Sequence, residues 1–281
     1  MTTGSGGAGT GGAAGRAGGG VSEGGACVAG VASSITTIMN GTVPLGTQVA
    51  LSGVVATSPK FVASKGSTGA CLWGLFVSEP VAQAAPYSGA ILLSDGAPAV
   101  LDANGVYGAC PGGTDAIPND VLAGDVLSIH ANVIAYVKST CAGSTTPPPS
   151  AEVRLAGACD VRREARGHAL PAPALVSNVA ELTNAATEAV HRKWTGVLVR
   201  LDGVAGIDNP GGGPVGATGT IRLSNGVRVR DRIYQGAKTA VFAPGTTWTW
   251  IVGIEHLDVC NWAVEPRDPC LDFSPKSQNC P

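Results

Sequence analysis

The sequence predicts a mostly β protein, built as two small closed β-barrels in tandem that are joined by a linker and one helix. Three observations support this fold class. Short apolar runs alternate with Gly, Asn, Asp and Pro from Ile35 onward, one central segment has helical periodicity, and four blocks of the first half recur in the same order in the second. A repeated unit of roughly five short strands favours a closed barrel, because closure removes exposed sheet edges.

The N-terminal arm and the overall charge restrict how the chain can bind a partner. Residues 1–26 are almost entirely Gly, Ala, Ser and Thr, a composition that buries too little apolar surface to become ordered, so we expect a flexible tether. Charged residues make up 14% of the chain and the net charge is -2, which gives no overall attraction to nucleic acid or anionic lipid. No run approaches the roughly 18 to 20 apolar residues of a spanning helix, so we expect no membrane insertion.

The cysteines indicate disulfide bonds and a compartment outside the cytosol. Their number is even, they are dispersed, and neither a CxxC pair nor a zinc spacing occurs. We expect four disulfides, no metal and no cofactor, and an extracellular or cell-surface location, although no export signal is visible in these residues. Free buried thiols are the alternative. The eight positions are Cys27, Cys71, Cys110, Cys141, Cys159, Cys260, Cys270 and Cys280.

Strand patterns fill the first half, and a helical pattern follows them. The runs at 49–57, 71–79, 89–95, 125–137 and 151–157 alternate apolar and polar residues between turn signals. The segment 177–194 has helical spacing, with Asn178 and Glu181 forming a capping-box pattern at its start. These patterns predict a first module at 27–160, a linker and helix at 161–192, a second module at 193–273 and a C-terminal tail at 274–281.

The second half repeats the first in four matched blocks. The block "KWTGVLVRLDGV" matches "GTQVALSGVVAT", and "TGTIRLSNG" matches "SGAILLSDG". Further along the chain, "APGTTWTWIVGIEHL" matches "LAGDVLSIHANVIAYV", and "NWAVEPRDPCLD" matches "AEVRLAGACD". The conserved order predicts a tandem duplication.

These blocks resemble the OB-fold-like modules found beside catalytic domains in secreted bacterial nucleases and in bacterial surface lipoproteins. The resemblance covers Ile35 to Leu155 and Trp194 to Asp272. In the second module of such tandems a Pro-Arg pair and a nearby Asp, here within "AVEPRDPCLD", close the last strand. The resemblance implies two small OB-like β-barrel modules and an extracellular setting. It does not extend to a nuclease domain, and we find none here.

No set of residues has the spacing of a known catalytic or metal-binding motif, so we expect no catalytic residues. His191 and Lys193 fit the solvated end of a helix, and His256 has Glu255 and Asp258 beside it as an alternative acid–base unit. Two loops are rich in oxygen ligands, which fit turns better than a calcium site; their residues are Asp95, Asp102, Asn104, Asp115, Asp120 and Asp125. Trp248, Trp250 and Val252 share one strand face, which favours core packing over a stacking platform for bases or sugars.

The strongest candidate surface is an arginine-rich hairpin. Asn225-Gly226 is a two-residue turn signal between "TIRLS" and "VRVRDRIY". Strand alternation places the apolar residues on one face and Arg222, Arg228, Arg230 and Arg232 on the other. The second and third strands of an OB barrel form its usual ligand face. The arginines therefore form either a polyanion-binding face or a solvated, ion-paired face; Asp202, Asp208, Asp231 and Glu255 are the acids expected to neutralise it.

The sequence thus predicts a non-catalytic, secreted or surface-displayed binding or interaction protein. Its candidate partners are single-stranded nucleic acid, another polyanion or a protein on the cell surface. The alternative is an accessory nucleic-acid-binding subunit of an extracellular nuclease or another hydrolase.

Overall fold

A computed structural model of the chain describes residues 27–137, 141, 149–208, 220–233, 244–258 and 260–276. Within these ranges the protein is mostly β, with two seven-stranded sheets, which confirms the predicted fold class at that level. The arm predicted at 1–26 lies outside the described residues, as do residues 277–281 of the predicted tail.

The first sheet contains a ring of five strands. Its seven strands are β1 (Val31–Ala32), β2 (Gln48–Ala56), β3 (Phe61–Lys65), β4 (Cys71–Ser78), β5 (Gly89–Gly96), β6 (Val126–Tyr136) and β7 (Glu152–Ala165), and helix α1 (Ile35–Met39) precedes β2. Strand β2 pairs with both β6 and β4, so the order β2-β6-β7-β5-β4 returns to β2. The pairing of β5 with β7 is parallel, and the other pairings of the ring are antiparallel.

The second sheet has the same pairing order. Its strands are β8 (Ala174–Leu175), β9 (Leu198–Asp208), β10 (Thr220–Leu223), β11 (Arg228–Arg230), β12 (Thr247–Asp258), β13 (Asn261–Glu265) and β14 (Phe273–Ser274). The order β9-β12-β13-β11-β10 returns to β9, again with one parallel pair, β11 with β13. In both rings the strands taken in chain order are therefore arranged first-second-third-fifth-fourth.

Three of the four matched sequence blocks occupy the same ring position in both sheets, and one does not. "TGTIRLSNG" forms the second ring strand, β10, whereas "SGAILLSDG" forms the third, β5. Both blocks end in two polar residues and a glycine, which form a hairpin turn in the second sheet but belong to β5 in the first. The match between these two blocks therefore depends on their shared turn signal, and the two strands are not structurally equivalent.

The single helix predicted at 177–194 is wrong, because the segment forms two shorter pieces. A 3₁₀ helix covers Val179–Leu182, and α2 covers Glu188–Trp194. Asn178 makes no capping bond, and the Thr183 hydroxyl donates to the Ala180 carbonyl at 3.0 Å, which ends the first piece. Threonine side chains compete for backbone groups in this way and so interrupt helices.

The two sheets pack directly against each other. Phe76, Ile91 and Leu93 of β4 and β5 belong to the same buried apolar cluster as Val199 and Ile254 of the second sheet. The backbones meet at Gly89 and Gly196, where a Cβ on Gly196 would lie 2.3 Å from the Ala90 nitrogen and the backbone has a φ of +73°. Only glycine permits that approach.

Three disulfides are present among the described residues, which supports the predicted oxidising environment. They join Cys27 to Cys159, Cys71 to Cys110, and Cys141 to Cys260; the last links the connection after β6 to the second sheet. Cys270 is also disulfide-bonded, and no described cysteine is free. No helix in the described part of the chain is long and apolar enough to cross a bilayer.

Candidate functional site

The hairpin formed by β10 and β11 sorts its side chains as the strand alternation predicts. Ile221 lies opposite Val229 and both are fully buried, while Arg222 lies opposite Arg228 on the outer face. Gly226 has a φ of +88°, which a tight turn of this kind requires. Thr220 lies opposite Arg230, so three arginines share the outer face of the strands.

Asp258 neutralises the end of the arginine face that lies nearest the first sheet. This carboxylate, at the end of β12, is 2% exposed and forms ion pairs with Arg230 and Arg232. Arg232 also donates to the Ala63 carbonyl of β3. Two of the four predicted residues are therefore held in buried ion pairs at the boundary between the sheets.

The other end of the face, Arg222 and Arg228, is more open. Arg222 pairs with Asp208, its Nε donating to Oδ1 at 3.1 Å, and both side chains are over two-fifths exposed. The Arg228 side chain is half-buried and makes no ion pair or side-chain hydrogen bond within the described part of the chain. Burial lowers the pKa of Arg228, the charge of Arg222 lowers it further, and Asp208 opposes the change. Like charges directly opposite each other are unfavourable without a counter-ion. We call this pair the open arginine end.

The acids that neutralise the face are only partly those expected. Asp208 was expected, but Asp202 pairs with Arg200 at 2.6 Å and Glu255 lies beside His191. Asp231 is 6% exposed and, with Glu265, acts electrostatically on Arg232, while Asp258 pairs with Arg230 and Arg232. The sequence alone places Asp258 beside His256, because only the ring order brings β12 and β11 to a common neighbour, β13.

The equivalent face of the first ring is covered. Its second and third strands are β4 and β5, whose outer residues Phe76, Ile91 and Leu93 are buried within the apolar cluster of the second sheet. The inner residues Leu75 and Leu92 face the first ring's own core. The β4–β5 face therefore holds the two rings together, and the β10–β11 face carries the arginines.

His256 belongs to a buried ion-pair cluster between the sheets. Its Nδ1 donates to Glu152 Oε1 at 2.9 Å, the backbone nitrogen of Leu257 donates to the same oxygen at 2.9 Å, and Arg154 Nε donates to Oε2 at 2.5 Å. Burial alone would raise the pKa of Glu152, but the charges of His256 and Arg154 and these hydrogen bonds lower it to about 2. Glu152 is 0% exposed, so the cluster links the sheets and does not face solvent.

His191 is buried, which corrects its assignment to the solvated end of a helix. Its ring stacks on Trp262 with centroids 3.7 Å apart, and Nδ1 shares a hydrogen bond of 2.8 Å with Glu255. Burial lowers the pKa of His191 to about 4. Burial and the charge of Glu152 raise the pKa of Glu255 well above its usual range. Both shifts favour the uncharged forms of the two groups, which pack as part of the core.

The second of the two oxygen-rich loops, which contains Asp115, Asp120 and Asp125, is neutralised by cationic side chains. Lys60 Nζ donates to Asp115 Oδ2 at 2.6 Å, to the Ile117 carbonyl at 2.8 Å and to Asn119 Oδ1 at 2.7 Å, and it lies 4.5 Å from the centre of the Trp73 ring. An ammonium group therefore occupies a cage of oxygens. No group of three or more metal-ligating side chains occurs among the described residues.

The two tryptophans of β12 have different surroundings. Trp248 is 4% exposed and packs near Phe273, with ring centroids 6.2 Å apart. Trp250 is half-buried, and the Arg200 guanidinium lies over its ring, 5.5 Å from the centroid. Trp250 and Arg200 both line a surface groove of about 460 Å³.

Comparison of the chain with protein-family models, curated proteins and solved structures finds no match.

Proposed function

We propose that this is a non-catalytic binding protein, secreted or surface-displayed, built from two OB-like barrels. Two features of the fold support the OB-like assignment: the first-second-third-fifth-fourth ring order occurs twice, each time with a parallel pair between the third and fifth strands. A partly open five-stranded Greek-key barrel with a ligand face on its second and third strands has this organisation. The disulfides support a location outside the cytosol.

The observation that carries the binding function is the open arginine end. Arg222 and Arg228 lie directly opposite each other on the second and third strands of the second ring, and only Arg222 has a carboxylate partner within the described residues. The ligand that relieves this repulsion is an anionic polymer such as single-stranded nucleic acid. Arg230 and Arg232 serve the boundary between the rings, because Asp258 already pairs with both.

The alternative is an accessory nucleic-acid-binding subunit of an extracellular nuclease or another hydrolase. It uses the same arginine surface, with catalysis supplied by a partner. A partner protein that gains activity on nucleic acid when this chain is added would favour this alternative over a free-standing binding protein.

Salt dependence tests the proposed surface. About two phosphate contacts predict that the logarithm of the affinity for a fluorescent single-stranded oligonucleotide falls with the logarithm of salt concentration at a slope near -1.4. The double variant R222A/R228A should abolish that slope. R162A/R166A is the matched control, because it removes two exposed, ion-paired arginines from the other sheet. A slope that R222A/R228A leaves unchanged would show that these arginines are only a solvated face.

A further inference from the structure

The groove beside Trp250 lies on strands β9 and β12, whereas the arginines of the hairpin belong to β10 and β11. Val252 is opposite Arg200 and Trp250 is opposite Asp202 in the pairing of β12 with β9. Arg200, Trp250 and Val252 form the groove floor, and Asp202 lies beside it. One wall is the segment Ala172–Pro173. Arg267, Leu271 and Asp272 form the other.

The second wall is rigidly held. Asp272, 1% exposed, accepts hydrogen bonds from Arg267 Nη2 at 2.7 Å, from Arg267 Nε at 3.1 Å and from the Arg267 backbone nitrogen at 2.6 Å. The backbone nitrogen of Asp268 is a further donor, at 3.0 Å. Arg267 Nη1 reaches the Thr57 carbonyl of the first sheet at 3.4 Å. A wall fixed in this way loses little conformational freedom when a ligand binds.

The floor offers unused polar groups beside an apolar surface. Arg200 uses its Nε on Asp202 Oδ1, at 2.6 Å, and its two terminal nitrogens make no hydrogen bond within the described residues. Asp202 likewise retains Oδ2 as an acceptor, and both side chains are over two-fifths exposed. Next to them lie the Trp250 indole, Val252, Pro173 and the 67%-exposed Leu271. The groove thus combines flat apolar contact area with both donors and acceptors.

The charges of the groove oppose an anionic polymer as its ligand. Arg200 is balanced by Asp202 and Arg267 by Asp272, so the groove and its rim have no net charge. A purely apolar peptide would leave the Arg200 donors and the Asp202 acceptor without a partner, which costs binding energy. A sugar ring has an apolar C–H face and an edge of hydroxyl groups that both donate and accept, and it matches this arrangement.

We propose that the groove is a carbohydrate-binding site, with the apolar C–H groups of a sugar against Leu271 and the Trp250 side chain, which Arg200 partly covers, and with its hydroxyls hydrogen-bonded to Arg200 and to Asp202 beside the groove. Its volume of about 460 Å³ falls within the usual range of small-molecule sites. This surface is separate from the open arginine end, and its ligand class is different.

Isothermal titration with hexasaccharides of glucose, xylose, mannose and N-acetylglucosamine tests the site, with tryptophan fluorescence as a second signal. At least one of them should bind with a Kd below about 1 mM. Because the groove has no net charge, that Kd should change less than twofold between about 50 and 500 mM NaCl. This insensitivity separates the site from the open arginine end.

Two variants locate the binding. L271D alters an exposed rim residue and R200A removes the free donors, and each should weaken binding by about tenfold or more. R162A is the matched control, because Arg162 also pairs through Nε with an aspartate two residues away, at 2.9 Å; it should leave the affinity unchanged. The proposal is overturned if no hexasaccharide binds below about 1 mM, if L271D and R200A have no effect, or if the groove instead binds an oligonucleotide.

Discussion

Replacing Glu152 with Gln should make the protein less stable at neutral pH but not at strongly acidic pH. Glu152 is fully buried between the sheets, and its two oxygens accept hydrogen bonds from His256, Leu257 and Arg154. The substitution keeps the shape and removes the negative charge. Arg154 then loses the carboxylate that compensates its charge, and His256 loses a charged hydrogen-bond acceptor, which is costly in a buried site.

The pKa gives the size and the pH window of this effect. The folded pKa of Glu152 is about 2, against an ordinary value of 4.5. A depressed carboxylate pKa contributes stability that is fully present above the unfolded value and is lost as the pH falls through the folded value. At about 1.4 kcal/mol per unit, the contribution is about 3 kcal/mol above pH 4.5 and vanishes toward pH 2.

Urea unfolding followed by tryptophan fluorescence, with the disulfides intact, measures this contribution. The unfolding free energy of E152Q should be about 3 kcal/mol below that of the parent at pH 7, and the two should converge between pH 4.5 and 2. E164Q, at an exposed position of the same strand, should stay within about 0.5 kcal/mol of the parent. A loss in E152Q that is constant across this pH range would refute the assignment of a depressed pKa.

The remaining predictions concern the Lys60 cage and the disulfide of the second sheet. K60M should lower the free energy of unfolding in urea by about 3–5 kcal/mol, because Asp115 would remain buried without its ammonium partner. The double variant K60M/D115L should recover most of that loss. Equal losses in the two variants would contradict this prediction. C141S/C260S should cost about 2–5 kcal/mol, with peptide mapping showing the other bridges retained; a change below about 1 kcal/mol would mean that packing alone holds this connection.

Local features of the fold could be read from the sequence. Four predicted strands agree with the structure to within one residue at each end, because alternation and flanking turns are local signals. They are 49–57, 71–79, 89–95 and 125–137, which correspond to β2, β4, β5 and β6. The face assignment of the arginine hairpin depended on the same period of two. The predicted strand 151–157 is only the first half of β7, which continues to Ala165 through residues that alternate weakly.

Distant partners could not be read in this way. Glu152 meets His256 across 104 residues, and Arg232 meets Ala63 across 169. Neither contact leaves a signal in the neighbouring sequence, because each depends on how the two rings pack against each other. The same limit explains His191: its position suggested an exposed helix end, while stacking on Trp262 and pairing with Glu255 bury it. The Trp250 groove likewise joins three segments that are separate in the sequence.

The two rings share a pairing order but use the corresponding face in opposite ways. In the first ring, apolar residues on β4 and β5 make that face a packing surface, so it is no longer open to a ligand. In the second, Asp258 ties Arg230 and Arg232 to the boundary with the first ring and leaves Arg222 and Arg228 beyond it. The first ring therefore acts as a support that fixes one end of the arginine face. Both proposed ligand surfaces, the open arginine end and the Trp250 groove, consequently lie on the second ring, and they differ in net charge. Salt would separate the two proposals experimentally, because attraction through uncompensated charge is proposed only for the arginine surface.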